Sequence, residues 1–127
     1  MVVQKSPDGT LEARRCLRLE LVFRELGHDL LNATAVVHVE DSEEADAPAR
    51  ILMTQRFPGL TVWQQQATVT LVLSLPDLVD AAMPVLRIHI DTDNAGEIRP
   101  GHFLNPTTVA VPDPSVSTLR IELVRVG

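Results

Sequence analysis

Residues 35–56 read AVVHVEDSEEADAPARILMTQR, from Ala35 to Arg56, and set strand chemistry on both sides of an acidic turn. Ala35, Val37 and Val39 alternate with Val36, His38 and Glu40, the period of two expected of a β-strand with one buried face. Five acids follow or end that run, Glu40, Asp41, Glu43, Glu44 and Asp46, and Asp46-Ala47-Pro48-Ala49 leads into Ile51 to Phe57. Pro48 has no backbone N–H to give to a ladder, so it belongs at the start or edge of the next strand. The segment therefore predicts strand, turn, strand, with Asp46 accepting backbone N–H bonds and Pro48 stiffening the exit.

The same pattern extends outward. Leu17, Leu19, Leu21 and Phe23 alternate with Arg18, Glu20, Val22 and Arg24, the clearest strand in the chain. Downstream, strands are predicted over 50–57, closed by Phe57-Pro58-Gly59, then over 67–75 and 85–91. Asp93-Asn94-Ala95-Gly96 reads as a hairpin turn, with Gly96 supplying a positive φ, and 97–102 as its weak return strand. Short strands over 107–111 and 117–126 complete the set, and at most one helical turn, capped by Asp77 and ending before Pro84, interrupts it. The gaps are too short for the helical crossovers of a parallel α/β sheet. An all-β fold follows, read as a two-sheet antiparallel β-sandwich of seven to eight strands, with a polar N-terminal segment at 1–13 and one domain at 14–127.

Composition narrows the function classes. Eleven Lys and Arg against 17 Asp and Glu, a formal charge of −6, argue against nucleic acid, whose phosphates need clustered cations. Cys16 is the single cysteine, which excludes an internal disulfide and an all-cysteine zinc site. No run approaches the ~20 apolar residues of a membrane span, and residues 1–9 lack an apolar leader, so the chain as written predicts a cytoplasmic protein.

Val22-Phe23-Arg24-Glu25, Ala35 to Ser42 and Ala45-Asp46-Ala47-Pro48-Ala49 together resemble the opening of YbaY/YscW-like domains. The order downstream also resembles that family over roughly residues 18–126: a Thr-Gln-Arg strand, an apolar strand ending in Leu-Pro, a turn with Gly, and a Val-rich last strand. The family includes the lipoprotein chaperones, or pilotins, of type III secretion. The resemblance implies a transthyretin-like sandwich that binds another protein and catalyses nothing, working in the periplasm or at the outer membrane. The tail a pilotin grips is a secretin segment. No residue matches a known gripping position, and the chain shows neither the signal peptide nor the lipobox usual in the family.

Candidate sites are few. The acids of the 40–46 turn offer oxygens to Ca²⁺, but a solvated turn guarding a strand edge explains them as well. Asp91 to Gly96 reads D-x-D-N-x-G, as in a calcium loop, yet the twelfth position, which needs a bidentate Glu, is His102. His38 and His89 fall on the outer faces of their strands and would approach each other if those strands pair, although two His alone are a weak zinc signal. Trp63 either covers one end of the core, the commoner place for a lone Trp, or is an exposed contact residue. No nucleophile with its base, and no phosphate-binding Gly loop, is present as a motif. The expected function is thus a noncatalytic protein-binding domain without cofactor, with a small-molecule or metal-binding module as the alternative and an enzyme third.

Overall fold

The computed structural model describes residues 15–42, 50–78 and 80–127. Asp46 and Pro48, with Glu43 and Glu44, lie outside the described residues, as does the 1–13 segment. Eight strands are formed: β1 (Arg15–Phe23), β2 (Leu30–Asp41), β3 (Arg50–Val62), β4 (Thr68–Leu75), β5 (Pro84–Asp91), β6 (Phe103–Leu104), β7 (Val109–Ala110) and β8 (Thr118–Arg125). No helix occurs among the described residues; near the expected helical turn, Ala81 N–H bonds Leu78 O at 2.9 Å.

Two separate facing sheets are not what forms. The strands follow one hydrogen-bonded path, β3-β2-β5-β6-β8-β1-β4, with β7 added to β5, and the sheet curls until it is nearly closed and barrel-like. Two features join what the sandwich reading kept apart. The two-residue β6 pairs with β5 through His89 and Ile90 and with β8 through Arg125 and Val124. And β1 pairs with β8 in parallel, Leu19 beside Leu119 and Leu21 beside Ile121, so the sheet is not purely antiparallel. A parallel pair needs a long connection, and here the rest of the domain is that connection.

The alternating residues face inward as their period demands. Leu17, Leu19 and Leu21 of β1, Leu73 of β4, Val37 and Val39 of β2, Leu86 and Ile90 of β5 and Leu123 of β8 are fully buried. Phe23 and Phe103 meet edge-to-face at 5.1 Å between ring centres, the favoured geometry for aromatic quadrupoles. At the seam between the end strands, the inward Gln55 of β3 accepts a hydrogen bond from Ser74 N–H of β4 at 3.1 Å.

β3 runs five residues beyond its expected end at Phe57. Pro58 is tolerated because β3 is an end strand, and Gly59 adopts φ +67°, beside register shifts on β2 near Asn32, itself at φ +58°. Of the acidic segment, only Glu40 and Asp41 are among the described residues, and neither sits in a solvated turn. Glu40 and Asp41 belong to β2 and are buried, Glu40 accepting from Arg87 Nε at 2.7 Å. A register shift between Val39 and Glu40 accompanies this placement.

Along β5 the ladder to β6 and the ladder to β7 leave Ile88 between them, and Asn105 fills the gap. Its Oδ1 accepts Ile88 N–H at 2.8 Å, while Nδ2 donates to Leu86 O at 3.1 Å and Thr107 O at 3.0 Å. Asn105→Ala is expected to lower stability by about 2 kcal/mol in chemical denaturation, the range for orphaning buried backbone groups. A loss no larger than that of an ordinary surface substitution would show that water replaces the amide.

Candidate functional site

Where β5 ends, the chain folds back on its own outer face. Asp91 Oδ1 accepts Ala95 N–H and Oδ2 accepts Gly96 N–H, both at 2.9 Å, and Gly96 takes φ +84°, a value where a side chain is strained. Asn94 ties this turn to β2: its Oδ1 accepts Thr34 Oγ1–H at 2.6 Å and its Nδ2 donates to Asn32 O at 3.0 Å.

The expected return strand over 97–102 does not form, because Pro100-Gly101 makes a second tight turn, with Gly101 at φ +94° and His102 N–H bonded to Arg99 O at 3.1 Å. Pro followed by a positive-φ Gly is the pattern of a type II turn. The turn is anchored to the end of the chain by Gly101 N–H to Val126 O and Val126 N–H to His102 O, both 2.8 Å. His102 is thereby driven inward and is fully buried.

Its imidazole connects the two turns and β5. Nε2 lies 2.7 Å from Asp93 Oδ1 and 3.5 Å from Asp91 Oδ1. On the other edge, Nδ1 accepts Arg99 N–H at 3.3 Å and lies 2.8 Å from Nε2 of His89. The rings of His89 and His102 sit 5.0 Å apart at 33°. Burial, then the adjoining His102, hold the pKa of His89 below the ordinary imidazole value, with Asp91 opposing. For Asp91, burial pushes upward, but the N–H groups of Gly96 and Ala95, the charge of His102 and the bond to Asp93 prevail, so its carboxyl stays below the usual carboxylate range.

The β2–β5 register sets His38 opposite Arg87 and Val36 opposite His89, making His38 and His89 diagonal neighbours on one face. They do not share a bond: His38 Nδ1 contacts Thr54 Oγ1 at 2.8 Å, whereas His89 turns to His102. That face is less polar than the sequence suggests, since Val36 on it is 5% exposed. A cleft of about 390 Å³ lies between His38, His89, Glu97 and Leu104. Trp63 does not cover the core; it is 52% exposed at the end of β3. His102, the residue that organises the cluster, carried no sequence signal beyond its place twelve along the D-x-D-N-x-G loop.

A second concave surface lies at the other sequence landmarks. A groove of about 530 Å³ is lined by Leu75 at the end of β4, Leu78, Pro84, Val111 and Pro112, with Arg15, Asp77 and Asp113 as its charged residues. Nε and Nη2 of Arg15 are buried and find no acceptor among the described residues.

Neither a known family profile nor a curated protein matches the chain. Its fold is similar to that of a solved pilotin. That structure, of an alternative pilotin from the type II secretion system of Vibrio cholerae, aligns over 89% of this chain and 97% of the pilotin, with a TM-score of 0.66 and 23% sequence identity. At that identity the likeness is one of fold. Among the described residues, no helix is long and apolar enough to cross a membrane.

Proposed function

We propose that the chain is a noncatalytic protein-binding domain of the pilotin kind, related to the YbaY/YscW-like chaperones, and that it works in the periplasm or at the outer membrane. The observation that supports this reading is the fold correspondence over 97% of a solved pilotin. The apolar groove beside Arg15 is the surface that fits such a role. Asp77 and Asp113 also line the groove and Arg15 acts on Asp113 through its charge, but Nε and Nη2 of Arg15 have no acceptor among the described residues. An occupant that brings carboxylate oxygens to those two nitrogens satisfies them, because an unpaired buried donor is costly and a charge-assisted pair is strong. The occupant is therefore an apolar peptide segment carrying an acidic group, and the tail of the secretin encoded in the same genome is the first to test.

Titration calorimetry with overlapping peptides of that tail is expected to find one saturable binder. Arg15→Ala should weaken it about tenfold, equivalent to about 1.4 kcal/mol. Absence of binding by every peptide to the folded protein would overturn the reading. Binding unaffected by Arg15→Ala would move the contact away from the groove.

A further inference from the structure

We propose that Asp91, Asp93 and His102 form a site for one divalent transition-metal ion of the zinc type, a role separate from the groove beside Arg15. One ligand atom from each lies within 4.8 Å of the others. The set is not a cluster of acids alone, because its centre is a fully buried imidazole edge aimed at two carboxylates.

The loop explains both the resemblance to a calcium site and the departure from it. Asp91 and Asp93 occupy the first and third places of D-x-D-N-x-G, and the Pro100-Gly101 turn brings the twelfth residue back onto them. A calcium loop puts a bidentate Glu there to complete its six to eight oxygens. His102 supplies a nitrogen instead, and two carboxylates with one imidazole suit zinc and its neighbours, which accept fewer and softer ligands. Asp93 is 54% exposed, so the coordination sphere opens to solvent on that side and a fourth position is available to water or a small ligand.

The surroundings hold the donors in place. Asp91 is fixed by two N–H bonds, one to each oxygen, and a carboxylate has lone pairs beyond those two bonds. As the side chains stand, Arg99 N–H donates to Nδ1 of His102, so Nε2 carries the proton and points it at Asp93. A bound ion takes the position of that proton between the same atoms. On binding, the Nε2 proton of His102 leaves to solvent and Nδ1 takes the proton that His89 Nε2 had shared with it, while His89 is reprotonated at its own Nδ1. Both rings stay neutral, Nδ1–H of His102 then donates to His89 Nε2 at 2.8 Å, and the long Arg99 N–H contact at 3.3 Å is given up. His89 is thus a positioning residue that orients the ligand ring from behind, the role that a carboxylate, a carbonyl or water more often takes behind a metal-bound imidazole.

The test uses the full chain, stripped with a chelator and titrated with zinc chloride or calcium chloride, followed by calorimetry and thermal unfolding. Zinc is expected to bind one per chain and to raise Tm, with calcium at equal concentration giving no comparable shift. Because His102 is buried and its replacement can unfold the chain, Asp93→Ala is the decisive variant: it should still fold, with some loss of stability from the acceptor taken from His102 Nε2–H, and lose zinc binding. His89→Gln should weaken zinc about 10- to 100-fold while the parent stoichiometry remains. His28→Ala and His38→Ala, which remove other histidines, should change nothing. Zinc binding that survives Asp93→Ala, that disappears with His28→Ala or His38→Ala, or that calcium matches would overturn the proposal.

Discussion

Leu19→Ala is expected to lower the unfolding free energy by about 3 kcal/mol and Tm by about 10 °C, measured by calorimetry. Leu19 is fully buried in β1, which is paired on both sides, with Leu71 of β4 opposite it in one direction and Leu119 of β8 in the other. Truncating its side chain to a methyl leaves a cavity where two strand pairings meet, and neither neighbour can shift inward without breaking its own ladder. Leu31→Ala is the control: the same chemistry at a side chain 64% exposed should cost no more than about 0.5 kcal/mol. Against a total stability of about 5–15 kcal/mol for a domain, the Leu19 loss is large. Equal effects at the two positions would mean that β1 does not hold the centre of the sheet.

β1 is also where sequence reading worked best. Its alternation of Leu with Arg and Glu is visible because burial of one face imposes a period of two on neighbouring residues, a local signal. β4, β5 and β8 were legible for the same reason. Closure of the sheet was not. It depends on Phe103-Leu104, two residues too few to show a period, and on the parallel register of β1 and β8, whose partners are about 100 residues apart in sequence. Pro58-Gly59 misled in the opposite sense. As local chemistry it marks a strand end, but on an end strand the missing N–H faces no partner and β3 passes through.

The candidate site shows the same division. Gly96 and the Asp91–Gly96 turn follow from local rules about positive φ and Asx bonding. His102 could be placed only as a departure from the calcium motif, because its arrival at Asp93 needs the Arg99–His102 turn and the pairing of His102 with Val126. The His38 and His89 pairing was accessible in outline, since alternation assigns each to an outer face, but the ring that His89 meets belongs to a residue outside either strand.

Asp41→Ala is expected to cost about 2–4 kcal/mol, because the carboxylate fastens the entry of β5 to the end of β2 and each orphaned N–H costs about 1–3 kcal/mol. Asp41 is 8% exposed; its Oδ1 accepts Met83 N–H at 3.0 Å and its Oδ2 accepts Ala82 N–H at 3.3 Å. Arg50 lies 3.8 Å from the same carboxylate but is 69% exposed, so the ion pair is screened by solvent. Arg50→Ala should therefore cost under about 0.5 kcal/mol, and Asp41→Asn, which keeps one acceptor oxygen, should fall between the two. In urea the Asp41→Ala midpoint should drop by about 1–2 M at unchanged m, since the folded and unfolded surfaces are otherwise the same. If Arg50→Ala proves as costly as Asp41→Ala, the ion pair rather than the backbone bonds holds this corner. If the Asp41 substitutions are both mild, Ser42 N–H to Met83 O at 3.1 Å is enough to keep the two strands together.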